Sequence, residues 1–303
     1  MAENKSTTRQ PTQQPWSGKT DGTKGMQQAL IVIFRYVDVR FFYPILAIVI
    51  LFYMLLRHSG YRAQYYLFHQ RFHQRPLRAF CNVYCNHFQF GQVVLDRFAA
   101  YAGRHYNLIL DGNELFQQYT ARQQGVIMLF SHVGNFEMAG YALQSPKPMH
   151  ILAYSGDTET VMQNRAKMFC PNHINIIPIA SDLSHIYLIN NALQQGEIVC
   201  MAGDRRMPNQ RSIACSILGE TASLPEGPFR IAATEKLPTI AAFAMKERWN
   251  TYHVYFLPIH IDTSLSRNEL EQDILTQYAH HIETMVQRYP LQWYHYFDFW
   301  AKE

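Results

Sequence analysis

Residues 125–143, GVIMLF-SHVGNFE-MAGYAL, contain the pattern that decides the fold of this chain. Residues 125–130 are a short apolar run, which is typical of a buried β-strand. Residues 131–137 are more polar and include a glycine, as expected for a tight turn, and residues 138–143 predict a helix. A strand, a turn and a helix in this order favour an open α/β sheet, in which ligands bind just outside the carboxyl ends of the strands.

His132 and Glu137 lie in this predicted turn and form the first candidate catalytic pair. A histidine at a strand end can accept a proton. A carboxylate one helical turn further on can hold the imidazole in one tautomer and stabilise the imidazolium. By spacing alone, a helix-capping histidine and a surface glutamate give the same pattern, so the rest of the chain is needed to decide.

Composition limits the class of protein. The chain has 303 residues, enough for one large domain or two small ones, and a formal net charge of +4. This mild and scattered excess argues against a nucleic-acid partner and would suit attraction to an anionic membrane face. The five cysteines include no Cys-x-x-Cys pair, which indicates free thiols in a reducing cytosol, and we expect no metal site.

The amino-terminal part divides into two regions. Residues 1–24 are polar and are expected to be disordered. Residues 25–58 are expected to form a membrane-anchoring hydrophobic helix, since residues 41–56 read FFYPILAIVILFYMLL without a charge. This run is shorter than the roughly 20 residues that a full span needs. A short transmembrane helix and a monotopic helix in one leaflet both remain possible, and a soluble core helix is the third interpretation.

Residues 59–303 are expected to form a single α/β domain with a helical amino-terminal part. From about residue 105, strand-like runs alternate with helical patterns, which predicts a mostly parallel sheet flanked by helices. The predicted strands are residues 106–110, 125–130, 150–154, 174–179, 197–201, 239–243 and 252–257. The predicted helices among them are residues 159–169, 183–195 and 267–288. With the amino-terminal membrane-associated helix, this is the predicted fold class.

Two further groups of polar residues follow predicted strands. Asp204 and Arg205 come directly after the strand at 197–201 and could grip a phosphate or a carboxylate, although a solvated ion pair explains them too. Residues 225–228, PEGP, precede a predicted helix whose first N–H groups favour an anion, with an ordinary capped turn as the alternative. The candidate substrate-binding residues are Asn135, Asp204, Arg205, Glu226 and Gly227.

These motifs together resemble a known family. HVGNFE at residues 132–137 resembles the His-x4-Asp/Glu motif of the lysophospholipid acyltransferases, and its interior resembles the lipid A late acyltransferase branch, the lauroyl and myristoyl transferases. The likeness extends over roughly residues 30–300. It continues in QGEIV (195–199) with GDR (203–205), in LG (218–219) with PEGP (225–228), and in RYPLQW (288–293) with FW (299–300). Two departures are Glu137 in place of the commoner aspartate and a stretch at 207–216 without the expected basic, glycine- and phenylalanine-rich character.

The resemblance implies a membrane-associated O-acyltransferase of the bacterial inner membrane, with its catalytic domain on the cytoplasmic face. An acyl thioester, on acyl carrier protein or coenzyme A, would be the co-substrate, and a hydroxyl of a lipid A-type acceptor would receive the acyl group. His132 would be the general base and Glu137 would orient it. Arg205 or N–H groups near Gly227 would stabilise the oxyanion, and Asn135 would hold the loop or touch substrate. No metal, other cofactor or acyl-enzyme is implied.

Three alternatives remain open at this point. The acceptor could be an amino-acid lipid or an aryl-polyene pigment lipid, acylated by the same chemistry. The chain could be a catalytically inert lipid-binding membrane protein, although it has both His132 and Glu137. It could also be a hydrolase in which His132 activates water, although the chain has no Gly-x-Ser-x-Gly nucleophile elbow.

Overall fold

The computed structural model describes residues 24–56, 58–154, 174–179, 182, 184–206 and 210–300. The tail expected at residues 1–24, apart from Lys24, and the helix expected at 159–169 lie outside these ranges.

Helices form the amino-terminal layer. They are α1 (Lys24–Tyr36), α2 (Tyr43–Leu56), α3 (His58–Tyr66) and the long α4 (Pro76–Tyr101), with a 3₁₀ turn at Val39–Phe42 and a π turn at Leu67–Arg71. The single helix expected over residues 25–58 is therefore divided. Asp38 causes the break, because its carboxylate accepts the N–H of Arg40 at 2.9 Å and caps the 3₁₀ turn. Pro44, which has no N–H to donate, then suits the first turn of α2.

Within the described ranges, no single helix is both long and apolar enough to cross a membrane. Val39–Leu55 and Gly60–Arg71 pass that test only as a pair, by length and composition, and they are bent by 94° relative to each other.

A seven-stranded sheet forms the centre of the domain, in the order β1-β9-β8-β2-β5-β3-β4. Its strands are β1 (Asn107–Asp111), β2 (Val126–Gly134), β3 (Met149–Tyr154), β4 (Ile174–Ile179), β5 (Ile198–Ala202), β8 (Thr239–Arg248) and β9 (Thr251–Ile259). Neighbours pair in parallel except β8 and β9, which are antiparallel. The prediction of a mostly parallel α/β sheet flanked by helices is confirmed.

The remaining elements cover the sheet and add a small hairpin. The helices are α5 (Asn113–Thr120), α6 (Phe136–Ala142), α7 (Ser184–Gln194), α8 (Glu226–Glu235) and α9 (Arg267–Arg288), followed by a 3₁₀ turn at Pro290–Gln292. The hairpin of β6 (Ser212–Ile217) and β7 (Glu220–Pro225) was not predicted. The sequence predicts a turn at residues 225–228 before the helix, but Pro225 ends β7 and residues 226–228 already form the first turn of α8.

The central strand β2 ends differently from its prediction. It continues to Gly134 rather than stopping at Phe130, with a shift of register against β8 between these two residues. Gly134 has a φ of +78°, and a Cβ there would meet the carbonyl oxygen of Ala244 on β8. Only glycine fits such a position without strain. The close approach to β8 places His132 at the carboxyl end of β2, beside the end of β5.

Candidate active site

His132 and Asp204 form the centre of the site. The Nδ1 atom of His132 lies 2.9 Å from Oδ1 of Asp204, and the backbone N–H of His132 donates to Oδ2 of the same carboxylate at 2.6 Å. The two residues are close together because β2 and β5 pair in parallel. Phe130 is opposite Ala202, and His132 and Asp204 each follow two residues later. One carboxylate thus fixes the main chain and the ring of the histidine together.

The environment keeps His132 in its neutral form. Burial lowers the pKa of His132, the positive charge of Arg205 lowers it further, and Asp204 and Glu137 only partly oppose this shift. The side chain is nevertheless 24% exposed, so a ligand can reach it. Among the described residues Nε2 has no hydrogen-bond partner, and with Nδ1 held by Asp204 it is the nitrogen that can accept a proton.

Asp204 remains ionised in this setting. Burial alone would raise its pKa, but the hydrogen bonds from the ring and the backbone N–H of His132 and the positive charge of Arg205 lower it. The adjoining Gly203 allows this arrangement, since a Cβ on it would lie 2.8 Å from the ring of Tyr278. That ring is fully buried, and its hydroxyl donates to the carbonyl of Phe130 at 2.7 Å.

Glu137 has a different contact from the one expected of it. We expected its carboxylate to orient His132, but Asp204 is the carboxylate that accepts the hydrogen bond from Nδ1. The reason is geometric, because β2 continues through His132 and places the ring against the neighbouring strand end. Glu137 lies in the first turn of α6, 3.8 Å from the guanidinium of Arg97 on α4, and it acts on His132 through its charge.

Asn135 joins the site to the strands beyond β2. It is buried, its backbone N–H donates to the carbonyl of Ala244 at 2.7 Å, and its side-chain amide donates to the hydroxyl of Tyr252 at 3.3 Å. These contacts hold the turn between β2 and α6, so the loop-holding alternative for Asn135 has structural support.

Arg205 links the strand ends to the carboxyl-terminal segment, residues 290–300. Its guanidinium donates to the carbonyl of Tyr294 at 3.4 Å and lies over the ring of Phe297. Burial lowers the pKa of the nearby His295 to about 3, and the charge of Arg205 contributes to this shift. Arg205 therefore places a positive charge beside both histidines.

Glu226 and Gly227 belong to the first turn of α8. Within the described part of the chain, Glu226 pairs with Arg230 one turn along α8, and its N–H donates to the carbonyl of Arg211. Arg230 in turn pairs with the buried Glu271 of α9 at 3.2 Å. No hydrogen bond or ion pair between described residues connects Glu226 or Gly227 to His132 or Asp204, and their substrate-binding role stays a prediction.

The carboxyl-terminal segment contributes contacts that sequence reasoning missed. The N–H of Tyr294 donates to the carbonyl of His132, and Trp293 pairs with Val133 as an isolated antiparallel bridge. Two buried amides hold this segment: Gln64 donates to the carbonyls of Trp293 and His295, and Asn86 donates to those of Leu291 and Trp293. The motif RYPLQW (288–293) was the available signal, but it does not indicate where this segment lies in the fold.

Fold and site together define an α/β protein with a neutral, carboxylate-held histidine at the carboxyl end of its central strand. Such a histidine is suited to act as a general base.

A family model described as bacterial lipid A biosynthesis acyltransferase matches residues 95–301. This is more than half of the chain, and the chain belongs to that family. Membership implies acyl transfer from an acyl donor to a lipid A-type acceptor, and such acyltransferases are typically associated with the inner membrane. A search of curated proteins finds no match for the chain.

The two carboxylates near His132 can be distinguished by substitution. Asp204→Asn should lower kcat by about 10²-fold or more, because the ring loses the partner that holds its tautomer and stabilises its charged form. Glu137→Gln should cost less, since it removes only a more distant charge. The measurement is acyl-transfer kinetics on both variants, with folding checked by circular dichroism. A larger loss in Glu137→Gln would return the orienting role to Glu137.

The lowered pKa of His132 predicts the pH dependence of turnover. The base works only when neutral, so activity should be lost as the pH falls through its pKa. The acid limb of kcat/KM should therefore have an apparent pKa below the usual value of about 6.5. In Asp204→Asn the acid limb of the residual kcat/KM should have a still lower apparent pKa, because Asp204 raises the pKa of His132. A wild-type limb above about 6.5 would contradict this environment.

Proposed function

We propose that this protein is a membrane-associated O-acyltransferase that moves a fatty acyl group from a thioester, on acyl carrier protein or coenzyme A, to a hydroxyl of a lipid A-type acceptor. The observation that carries the proposal is the pairing of His132 with Asp204 at the carboxyl end of β2, in a chain of this family. The pairing leaves Nε2 of a neutral imidazole available to the acceptor hydroxyl.

The proposed reaction has two proton transfers. Nε2 of His132 takes the proton of the acceptor hydroxyl as its oxygen attacks the thioester carbonyl. The tetrahedral intermediate then collapses, the C–S bond breaks, and the imidazolium returns the proton to the departing thiolate. Asp204 stabilises the imidazolium between these steps, which is the role of a buried carboxylate beside a catalytic histidine.

The oxyanion of the intermediate needs a positive charge or N–H donors nearby. Arg205 is the candidate of this proposal, because its charge is close enough to lower the pKa of His132. It would also disfavour premature protonation of the base.

Lipid mass spectrometry tests the reaction directly. In a host lacking this protein, complementation with the wild type should add one acyl group to a lipid A-type acceptor. His132→Ala should lower the yield by about 10²- to 10⁴-fold, the usual contribution of a general base. His260→Ala is a matched control, since His260 is exposed and follows β9 at the opposite edge of the sheet.

The other outcomes of this experiment are informative. If His132→Ala acylates as well as the wild type, the proposal is wrong. Acylation of an amino-acid lipid or an aryl-polyene lipid would keep the chemistry and replace the acceptor. Release of free fatty acid without an acylated lipid would identify a hydrolase.

Membrane association is part of the proposal, and exposed apolar side chains support it. Most of the large apolar side chains exposed among the described residues belong to the amino-terminal helices and the turn between α1 and α2. They include Val32, Ile33, Tyr36, Phe41, Ile45, Ile48, Val49, Leu51, Phe52, Leu55, Leu77 and Phe80. So many exposed apolar side chains in a few neighbouring helices are unusual for a layer in contact with water. Exposed Arg62, Arg75 and Arg78 in the same layer suit anionic lipid headgroups.

Substitution on this surface should weaken membrane binding. Ile48 and Phe52 are one helical turn apart on α2 and are 59% and 62% exposed. Changing both to Asp should reduce co-sedimentation with phosphatidylethanolamine–phosphatidylglycerol vesicles by at least about tenfold, since each side chain loses roughly 1.5–3 kcal/mol of apolar burial. The control is Tyr187→Asp with Leu188→Asp, which are exposed on α7. Equal losses in both pairs would contradict a membrane role for α2.

A further inference from the structure

Behind the active site lies a buried polar network that the proposed reaction does not use. It starts at Asn135, which follows Gly134 and is three residues from His132. The side-chain Nδ2 of Asn135 donates to the hydroxyl of Tyr252 on β9 at 3.3 Å. The catalytic turn is therefore tied to β8 through its main chain and to β9 through this amide.

The hydroxyl of Tyr252 is the acceptor in its hydrogen bond with Asn135. Tyr252 is fully buried, and its hydroxyl donates its one proton to the carboxylate of Asp96 on α4. Burial raises the pKa of Tyr252 well above its usual value, and Asp96 adds to the shift, so the proton stays on the phenol. Because that proton is directed at Asp96, the phenol can only accept from Asn135.

The charged end of the network is a buried ion pair. Asp96 accepts from both Tyr252 and Lys246 of β8 through Oδ2, and the side chains of Asp96 and Lys246 are 0% and 8% exposed. Lys246 is also held by its main chain, since its N–H and carbonyl both bond to the side-chain amide of Gln292 at 2.8 Å. Gln292 directly precedes Trp293, which pairs with the strand segment around His132.

We propose that Tyr252, Asp96 and Lys246 are positioning residues, which orient the amide of Asn135 so that its nitrogen faces the protein and its oxygen is left for the substrate. This inference rests on the proposed acyl transfer and adds residues on α4, β8 and β9 that act through Asn135. Among the described residues, Oδ1 of Asn135 has no hydrogen-bond partner. An amide oxygen presented in this way can accept a hydrogen bond from a hydroxyl or N–H group of the acceptor.

The orientation matters because an amide has two different ends. Without the hydroxyl of Tyr252, the nitrogen of Asn135 has no fixed acceptor, and the amide can turn its donor end toward the substrate. A hydroxyl that was held as a donor then meets another donor, and its oxygen is no longer aligned with Nε2 of His132. Small displacements of this kind are costly for the chemical step.

Kinetics on Tyr252→Phe test the proposal, because this change removes only the hydroxyl. We expect kcat to fall about 10- to 100-fold, with KM nearly unchanged and the folded protein retained. Asn135→Ala should show a similar loss, and the double variant should lose no more than the worse single one. The matched control is Tyr106→Phe, since Tyr106 donates to the backbone carbonyl of Asp96 at 3.4 Å without touching Asn135. Wild-type kcat in folded Tyr252→Phe, or losses that multiply in the double variant, would overturn the proposal.

A second measurement separates this inference from the proposed function. In protein labelled with ¹⁵N-asparagine, the side-chain resonance of Asn135 is assigned by its absence in Asn135→Ala. We expect slow hydrogen exchange of one Nδ2 proton in the wild type and in Tyr106→Phe, and fast exchange in Tyr252→Phe. If the wild type lacks acyl transfer but shows this pattern, the proposed function fails while the orientation of Asn135 stands. Fast exchange in the wild type would refute the orientation itself.

Discussion

The site depends on one carboxylate that binds two parts of the same residue. Asp204 accepts from the backbone N–H and from the ring of His132, so the position of the strand and the orientation of the imidazole are set together. This is possible only because β2 and β5 are parallel neighbours that end at the same edge of the sheet. Hydrogen bonds to a charged group are stronger than neutral ones. Burial of the pair strengthens them further.

Other parts of the molecule pack closely around His132 and Asp204 and hold the neighbouring segments in place. Gly134 and Gly203 allow the main chain to approach β8 and Tyr278 where a side chain would not fit. The amino-terminal helices contribute Gln64 and Asn86, whose amides hold the carboxyl-terminal segment against the end of β2. Helices α3 and α4 of the amino-terminal layer are thus connected to His132 through two buried amides and the carboxyl-terminal segment. The site is therefore linked by direct hydrogen bonds, through this segment, to α3 and α4 and to any surface that these helices contact.

Local patterns predicted much of this fold. Apolar runs predicted the seven strands of the central sheet, and a helical pattern predicted the helix at 267–288. The sequence also placed His132 and Asp204 at the ends of predicted strands, but it predicted no contact between them. The hairpin at 212–225 was missed, because its short strands carry alternating small and polar residues that resemble a loop.

The partner of His132 illustrates the limit of sequence reasoning. Glu137 is five residues away and was the obvious candidate, whereas Asp204 is 72 residues away and only the pairing of β2 with β5 brings it near. The network of Asp96, Lys246 and Tyr252 is still less visible, since Asp96 is 150 residues from Lys246 and 156 from Tyr252. No periodic pattern in the sequence marks a contact of this kind, because the polar partners that make burial of Asp96 possible are distant from it in the sequence.

The hydrogen bonds from the side-chain amides of Gln64 and Asn86 to the carboxyl-terminal segment have a consequence for folding. Gln64 and His295 are 231 residues apart, and Asn86 and Trp293 are 207 apart, so these hydrogen bonds close very long loops. The entropy of closing such loops must be overcome before the contacts stabilise anything, and chains dominated by distant contacts fold slowly. During synthesis the helices that carry Gln64 and Asn86 emerge long before the segment they bind. Their buried amides lack these partners until then, and the candidate active site is completed only after nearly all of the described chain is available.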